Sequence, residues 1–322
     1  MVTRSGSRFN MGVTAKDLTR IDELDVPKTL ASAARHSVTV DLAGTVVKVS
    51  FDEFEAAETY RTRYRHMLSD RPVERRAFAL AHRPGEIYIW LEGVAAYRFD
   101  RFAVRPHVVA FFADAVITSG VFTSADDLIA LHAGVVCDEH AAAAIIGSST
   151  TGKTTTAIAC VRRGLTLLSD EHCVVTSTGV RAFPRALNLR CPSVRLLSED
   201  PAPPSLVDRW LEMHRCYEGN DLGFDEVFGA LPPSDPKPLR VIFALAGTAP
   251  QPSITRISPA AMLEHARAGV KMKLEGFAAL QSLFTLLQSV ECYEVVKGTP
   301  DETARAVIRV LADSTHEMSS VA

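Results

Sequence analysis

The chain has 322 residues, 47% of them apolar and 23% charged, the composition of a globular protein with a sizeable buried core. Its formal net charge is -3 with acids and bases interspersed, which argues against a surface that coats nucleic acid or lies on an anionic membrane. The longest apolar runs, "VVAFFADAVI" and "AAAAIIG", fall well short of the roughly 20 residues a membrane helix needs, so no membrane partner is expected.

Residues 1–34 open with "MVTRSGSRFNMGVTAKDLTR", polar and with irregular Gly and Ser. They read as a flexible tail without a secretory signal. Residues 35–124 read as a small α+β module. "SVTVDLAGTVVKVSF" gives two alternating strands joined at Ala43–Gly44. "DEFEAAETYRTRYRHML" carries apolar or aromatic residues at 54, 57, 60, 64, 67 and 68, which is helical spacing. "RRAFALAH" and "EIYIWLEG" form a second strand pair bent at Pro84–Gly85, "AAYRF" adds a strand, and "PHVVAFFADAVI" starts a helix near Pro106. The basic run "RTRYRHMLSDRPVERR" is a solvated face or a contact for an acidic peptide.

Residues 125–322 change pattern. "GVVCD" and "AAAAIIG" are apolar without alternation, as strands buried on both faces are. "KTTTAIACVRRG" follows as a helix stopped by Gly164, then "LTLLSD" and "HCVVTS" as short strands. This order predicts a βαβ unit with a parallel strand pair. The stretch 200–240 is rich in Pro, Asp and Gly and reads as loops around one helix near "LVDRWLEMHRCY". "RVIFALAG" returns as a core strand, "SPAAMLEHARAG" as a helix from Ser258–Pro259 to Gly269, "GFAALQSLFTLLQSV" as another, and "CYEVV" as a strand. A closing helix begins at Pro300, capped by Thr299, with Glu302 in its first turn. Six cysteines, Cys137, Cys160, Cys173, Cys191, Cys216 and Cys292, form no C-x-x-C pair, which points to a reduced, cytoplasmic protein. Trp90 and Trp210 read as packing residues.

The stretch "GSSTTGKTTT" fits G-x-x-x-x-G-K-[ST] without a gap. Gly147 and Gly152 allow the tight turn that aims successive N–H groups into one concavity. The small side chains of Ser148, Ser149, Thr150 and Thr151 keep that concavity open, and Thr155 continues it into the helix. The helix aims its positive end at the same point. Lys153 can reach the β- and γ-phosphates, and the Thr154 hydroxyl can ligate Mg²⁺. Asp170 and Glu171 fall at the end of the next strand, where a ligand crevice is expected, and can serve a metal ion and a proton transfer. Their competing reading is a turn pair. His132 in "ALHAGVV" reads by itself as a structural histidine. Arg185 and Arg190 are phosphate contacts or surface residues, and Lys271 and Lys273 are cationic contacts on a loop or exposed lysines.

Together and in order, "LHAGVV", "IIGSSTTGKTTTAIACVRRG" and "LTLLSDEHCVV" resemble the catalytic domain of HPr kinase/phosphorylase and its smaller relatives, among them tailoring kinases of lasso-peptide pathways. "FPRALNLR" resembles a segment common in those smaller relatives, so the likeness covers roughly 127 to 192. It implies an α/β fold with a P-loop kinase core of the type related to PEP carboxykinase, behind the N-terminal module. It implies ATP, Mg²⁺ and phosphoryl transfer to a hydroxyl, with a Ser of a peptide or protein as the first choice of acceptor. By motif position, Asp170 takes the acceptor proton and His132 lies near the reacting phosphate. Glu171 stands where the family has a second Asp and is a candidate metal ligand beside Asp170 and Thr154. The family's later Arg-Gly-x-Gly signature is absent, which sets HPr itself aside as acceptor. Two other readings remain: a kinase of a small-molecule hydroxyl, and a nucleotide-binding regulator without turnover. A PEP carboxykinase-type decarboxylation fits poorly with the chain length. No nucleic-acid partner is expected, and the oligomeric state, homo-oligomer included, is left open.

Overall fold

The computed structural model describes residues 19–23, 26, 30–83, 86–100, 106–125, 128–148, 150–188, 221–267 and 277–319. Most of the predicted tail, the Pro84–Gly85 bend, Ser149, the predicted helix near Trp210, Arg190, Lys271, Lys273 and the Gly269 stop lie outside them.

Six strands form the first sheet: β1 (Thr19–Ile21), β2 (His36–Leu42), β3 (Thr45–Phe51), β4 (Arg75–Arg83), β5 (Glu86–Leu91) and β6 (Ala95–Asp100). Their spatial order is β1-β6-β5-β4-β3-β2. The β2–β3 hairpin turns at Ala43 and Gly44, both with positive φ (+58° and +106°), the geometry whose twist suits a two-residue hairpin. Between β3 and β4 the chain makes α1 (Phe54–Arg63), and these two strands are accordingly parallel while every other pair is antiparallel. The helical spacing predicted to reach residue 68 ends earlier, at Arg63, and a 3-10 turn over Arg65–Met67 keeps Tyr64 and Met67 buried.

Period-two alternation splits this sheet cleanly. Ala77, Ala79, Ile87, Ile89 and Leu91 face α1 and α2 (Pro106–Ser124), where Tyr60, Phe112 and Phe122 fill the core. Phe78, Leu80, Tyr88 and Trp90 face the other way, onto Val26 and Leu30, with Phe78 and Trp90 stacked at 4.5 Å. Trp90 is therefore a packing residue. The basic run is largely paired within the chain: Arg61 with Glu58 (2.9 Å), Arg63 with Asp114 (3.4 Å), Arg65 with Asp225 (2.8 Å) and Arg71 with Asp41 (2.8 Å).

The remaining elements follow as β7 (Ile129–Leu131), β8 (Gly134–Cys137), β9 (Ala142–Ile146), α3 (Lys153–Val161), β10 (Thr166–Ser169), β11 (Cys173–Thr176), β12 (Gly179–Arg181), β13 (Leu187–Asn188), β14 (Asp221–Leu222), α4 (Phe224–Phe228), β15 (Leu239–Thr248), β16 (Ser253–Arg256), α5 (Pro259–Arg267), α6 (Phe277–Ser289), β17 (Glu291–Lys297) and α7 (Pro300–Ser319). The second sheet has the order β10-β8-β9-β15-β17-β16. β9, β15 and β17 make a parallel run. Helices α3 and α7 cover one face, through Ile158, Val307 and Leu311. Helices α5 and α6 cover the other, through Met262, Leu283 and Leu287, beside the small antiparallel sheet β12-β11-β7. The fold is mixed α/β, and every residue of β9 is buried, as its unbroken apolar run requires.

The end of the expected tail belongs to the fold, since Thr19–Ile21 pair with β6 and Val26 and Leu30 are buried against the first sheet. The expected parallel pair is corrected as well. β9, α3 and β10 do not yield a parallel neighbour pair. β8 lies between β9 and β10 and is antiparallel to both. A tight turn, in which the Asp138 carboxylate accepts from the amides of His140 and Ala141 (2.7 and 2.8 Å), joins β8 to β9 as a hairpin and takes the slot beside β9 first.

This insertion decides where side chains meet. β9 and β10 run in one direction, so their carboxyl ends share an edge of the sheet. β8 runs the opposite way, so its amino end lies at that same edge, with Gly134 opposite Ile145 and Val135 opposite Ser169. The carboxyl end of β17 joins them through its parallel pairing with β15.

Candidate functional site

The loop after β9 turns at both glycines of the motif. Gly147 has φ +154°, and a Cβ there would stand 2.6 Å from Thr151 Oγ1 and 3.4 Å from Leu245 Cβ. Gly152 has φ +97° and precedes the first residue of α3. Thr150 adopts φ +69°, one of two described non-glycine residues with positive φ. Such conformations cost on the order of 1–3 kcal/mol and collect where a loop must hold a set shape. The first turn of α3 has amides without helical acceptors. No side-chain hydrogen bond caps its N-cap residue Gly152, and no acidic residue stands in that turn.

Two ammonium groups hold this loop. Lys153, only 7% exposed, donates to the main-chain oxygens of Gly147 (2.9 Å) and Ser148 (3.1 Å). Lys297, at the carboxyl end of β17, donates to the Thr151 carbonyl, and its Nζ would lie 3.1 Å from a Cβ on Gly152. Lys297 was not singled out in the sequence. The signal was present, since "CYEVVK" ends a strand in a cation and such strand ends face the ligand crevice.

Asp170 stands just past β10. Its carboxyl is hydrogen-bonded to the side chain of Thr154, the second residue of α3, and feels the charges of Glu171, Arg185 and Lys153. Burial raises it above the ordinary carboxylate range to about 7, against the lowering influence of Thr154, Arg185 and Lys153. Its Oδ1 is sealed from solvent and has no hydrogen-bond partner among the described residues. A buried orphan oxygen is expensive, and it is the observation that tests whether a cation fits. One carboxylate, the Thr154 hydroxyl beside it and a loop turned by two glycines make the incomplete set that Mg²⁺ takes when phosphate and water supply the remaining oxygens. Among the described residues no group of three or more His, Cys, Asp or Glu side chains could hold a metal alone.

Glu171 is placed differently. Its Oε1 lies 3.1 Å from His132 Nδ1 and its Oε2 lies 3.5 Å from Arg185 Nη2. The His132 ring also meets the Glu171 carbonyl at 3.1 Å, and the Ala133 amide donates to that same carbonyl at 3.3 Å. His132 and Glu171 thus form a pair fixed by main chain and side chain together. Arg185 is brought to the site as well, and its Nη1 is bonded to Asp114 of α2. Gly147, Ser148, Thr150, Thr151, Gly152, Lys153, Thr154 and Thr155 line the loop and the first turn of α3, with Asp170, Glu171 and His132 at the same sheet edge.

The four described cysteines are free and buried, and burial raises the thiols of Cys160 and Cys173 to about 12, which disfavours their thiolate forms. No protein-family profile matches the chain, and no curated protein matches it significantly.

Proposed function

We propose that the chain is an ATP-dependent kinase with a P-loop core of the HPr kinase-like type, transferring the γ-phosphoryl group to a hydroxyl, first of all that of a Ser in a peptide or protein. The observation that carries the reading is Asp170, a buried carboxyl with an unpartnered oxygen set against Thr154 at the mouth of an uncapped, glycine-turned loop. Loop amides and the Lys153 ammonium bind and neutralise the phosphates. Mg²⁺, held by Thr154 and Asp170, would add positive charge on the phosphate oxygens. Asp170 receives the proton of the acceptor hydroxyl as the new O–P bond forms. The bond between the γ-phosphorus and its bridging oxygen breaks, and ADP carries the electron pair away. The cation and the Lys153 ammonium beside it would keep the carboxyl ionised, as a proton acceptor must be. His132, its ring anchored by Glu171, would act near the reacting phosphate.

An intact-mass assay tests the proposal. The protein is incubated with Mg-ATP and peptides encoded near its gene, with Lys153→Ala as the control. A phosphate-sized gain on one peptide, absent in the control, is the expected result. A gain on a sugar or free amino acid instead moves the acceptor to small molecules. Nucleotide binding without any transfer leaves a regulator, and no binding of Mg-nucleotide by calorimetry ends the reading.

A further inference from the structure

We infer that Asp114, on the N-terminal module's helix α2, is a positioning residue for the His132–Glu171 pair, acting through Arg185. The inference rests on the phosphotransferase reading for its catalytic consequence, but not for its geometry.

Asp114 is the only Asp, Glu, Lys or Arg in the 19 residues of α2, and it is 4% exposed. A lone carboxylate in an apolar helix is costly unless it is fully satisfied. Here it is surrounded by donors. The Tyr64 hydroxyl and Arg185 Nη1 bond it directly, and Arg63 Nη1 (3.4 Å) and the Thr118 hydroxyl (3.4 Å) stand close by. Burial, and then the Asp114 charge, keep the Tyr64 phenol protonated and so a donor. Two arginines share this one carboxylate, so the group carries a surplus positive charge. On the side of the site, Arg185 Nη2 meets Glu171 Oε2 at 3.5 Å.

A guanidinium on a long flexible stem holds a partner in place only when it is itself held. Arg185 is 12% exposed and lies two residues past Phe183, in a segment without helix or strand. Asp114 supplies the fixed point. The chain of contacts therefore runs from α2 through Asp114, Arg185 and Glu171 to His132, and the module becomes part of the machinery that sets the imidazole.

Imidazole ¹⁵N shifts of His132 at one fixed pH, in nucleotide-free protein, give a readout independent of turnover. Asp114→Asn is expected to move those shifts and to lower kcat by about 10- to 100-fold, the cost of a displaced catalytic group, with KM for ATP unchanged. Thr118→Val on the same helix disturbs the Tyr64 side of the cluster without touching Arg185. It is expected to lower stability while leaving the His132 shifts as they are. Arg185→Gln should reproduce the Asp114→Asn shifts, and combining the two should add nothing further. If Asp114→Asn folds and the His132 signals stay at their wild-type positions, the inference is wrong. It is equally wrong if Thr118→Val moves them as far. Loss of transfer in wild-type protein would sink the kinase reading and leave the shift test standing.

Discussion

Burial at Asp170 outweighs every favourable neighbour, and the consequence is a stability penalty with a definite pH dependence. An ordinary carboxyl titrates near 4 in the unfolded chain, whereas this one titrates at about 7 in the fold. A raised acid pKa means that folding disfavours the charged form. The penalty is absent below about pH 4, grows as pH rises and is complete above about pH 7. Asp170→Asn removes it. In nucleotide-free protein at pH 8 the variant should be more stable by on the order of 2–4 kcal/mol, and at pH 4 nearly equal to wild type. Thermal melts at the two pH values measure this, and a variant less stable at pH 8 contradicts it. The same variant should still bind nucleotide and lose transfer by about 10²- to 10⁴-fold. Lys297 makes a second prediction at this scale. Lys297→Ala removes a cation from the loop mouth, so triphosphate affinity by calorimetry should fall about 5- to 30-fold, while the uncharged nucleoside is unaffected. The loop, Asp170, Glu171 and His132 were legible because each lies within a short motif. Lys297 and Asp114 were not, because both lie outside the stretch 127–192, Lys297 far beyond its end and Asp114 on a helix before its start. Asp114 nevertheless left a trace, as the one charged side chain that interrupts the apolar helix α2.

Caps and turns were read correctly where local chemistry sets them. Thr299 and Glu302 close the amino end of α7 reciprocally: the Thr299 amide donates to Glu302 Oε2 at 3.1 Å and the Glu302 amide to Thr299 Oγ1 at 3.3 Å. Thr299→Ala should cost about 1 kcal/mol, read as a lower urea midpoint with an unchanged slope. The hairpin at Ala43–Gly44 was equally plain, since the turn residues declare it. Strand order was not. β8, β9 and β10 are buried on nearly every residue, and a strand without alternation does not reveal which way it runs or what lies beside it. The predicted parallel pair failed for that reason, although both strands exist where the apolar runs put them. The length of α1 failed differently, because Tyr64 and Met67 continue the helical spacing of buried residues through a 3-10 turn.

Across the whole molecule the two sheets are joined by both apolar and ionic contacts. Ala130, Val174 and Phe183 belong to the core beneath α1 and α2, and the Ala186 amide donates to the Arg63 carbonyl at 2.8 Å. Arg65 ties the end of α1 to α4 through Asp225 (2.8 Å) and Glu226 (3.2 Å). The hydrogen bond from Arg65, helped by His66, holds the Asp225 carboxyl down to about 2. A depressed acid pKa stabilises the fold above about pH 4 and loses that contribution as pH falls toward 2. Asp225 is about half exposed, so the contribution is small, under about 1 kcal/mol. Urea midpoints of Asp225→Asn and wild type should differ slightly at pH 6 and converge by about pH 2. A difference that persists there would mean the carboxylate acts through packing.

The strand slipped between β9 and β10 also sets the order of events during synthesis. Residues 129–176 contain the imidazole, the loop and both acids, and β8 pairs with β9 and with β10 over short stretches of chain. Such pairings close small loops and form early. As the polypeptide leaves the ribosome, these groups can assemble while β15 and β17 are still untranslated. The module carrying Asp114 has by then already emerged, so the last component to arrive is the ammonium of Lys297.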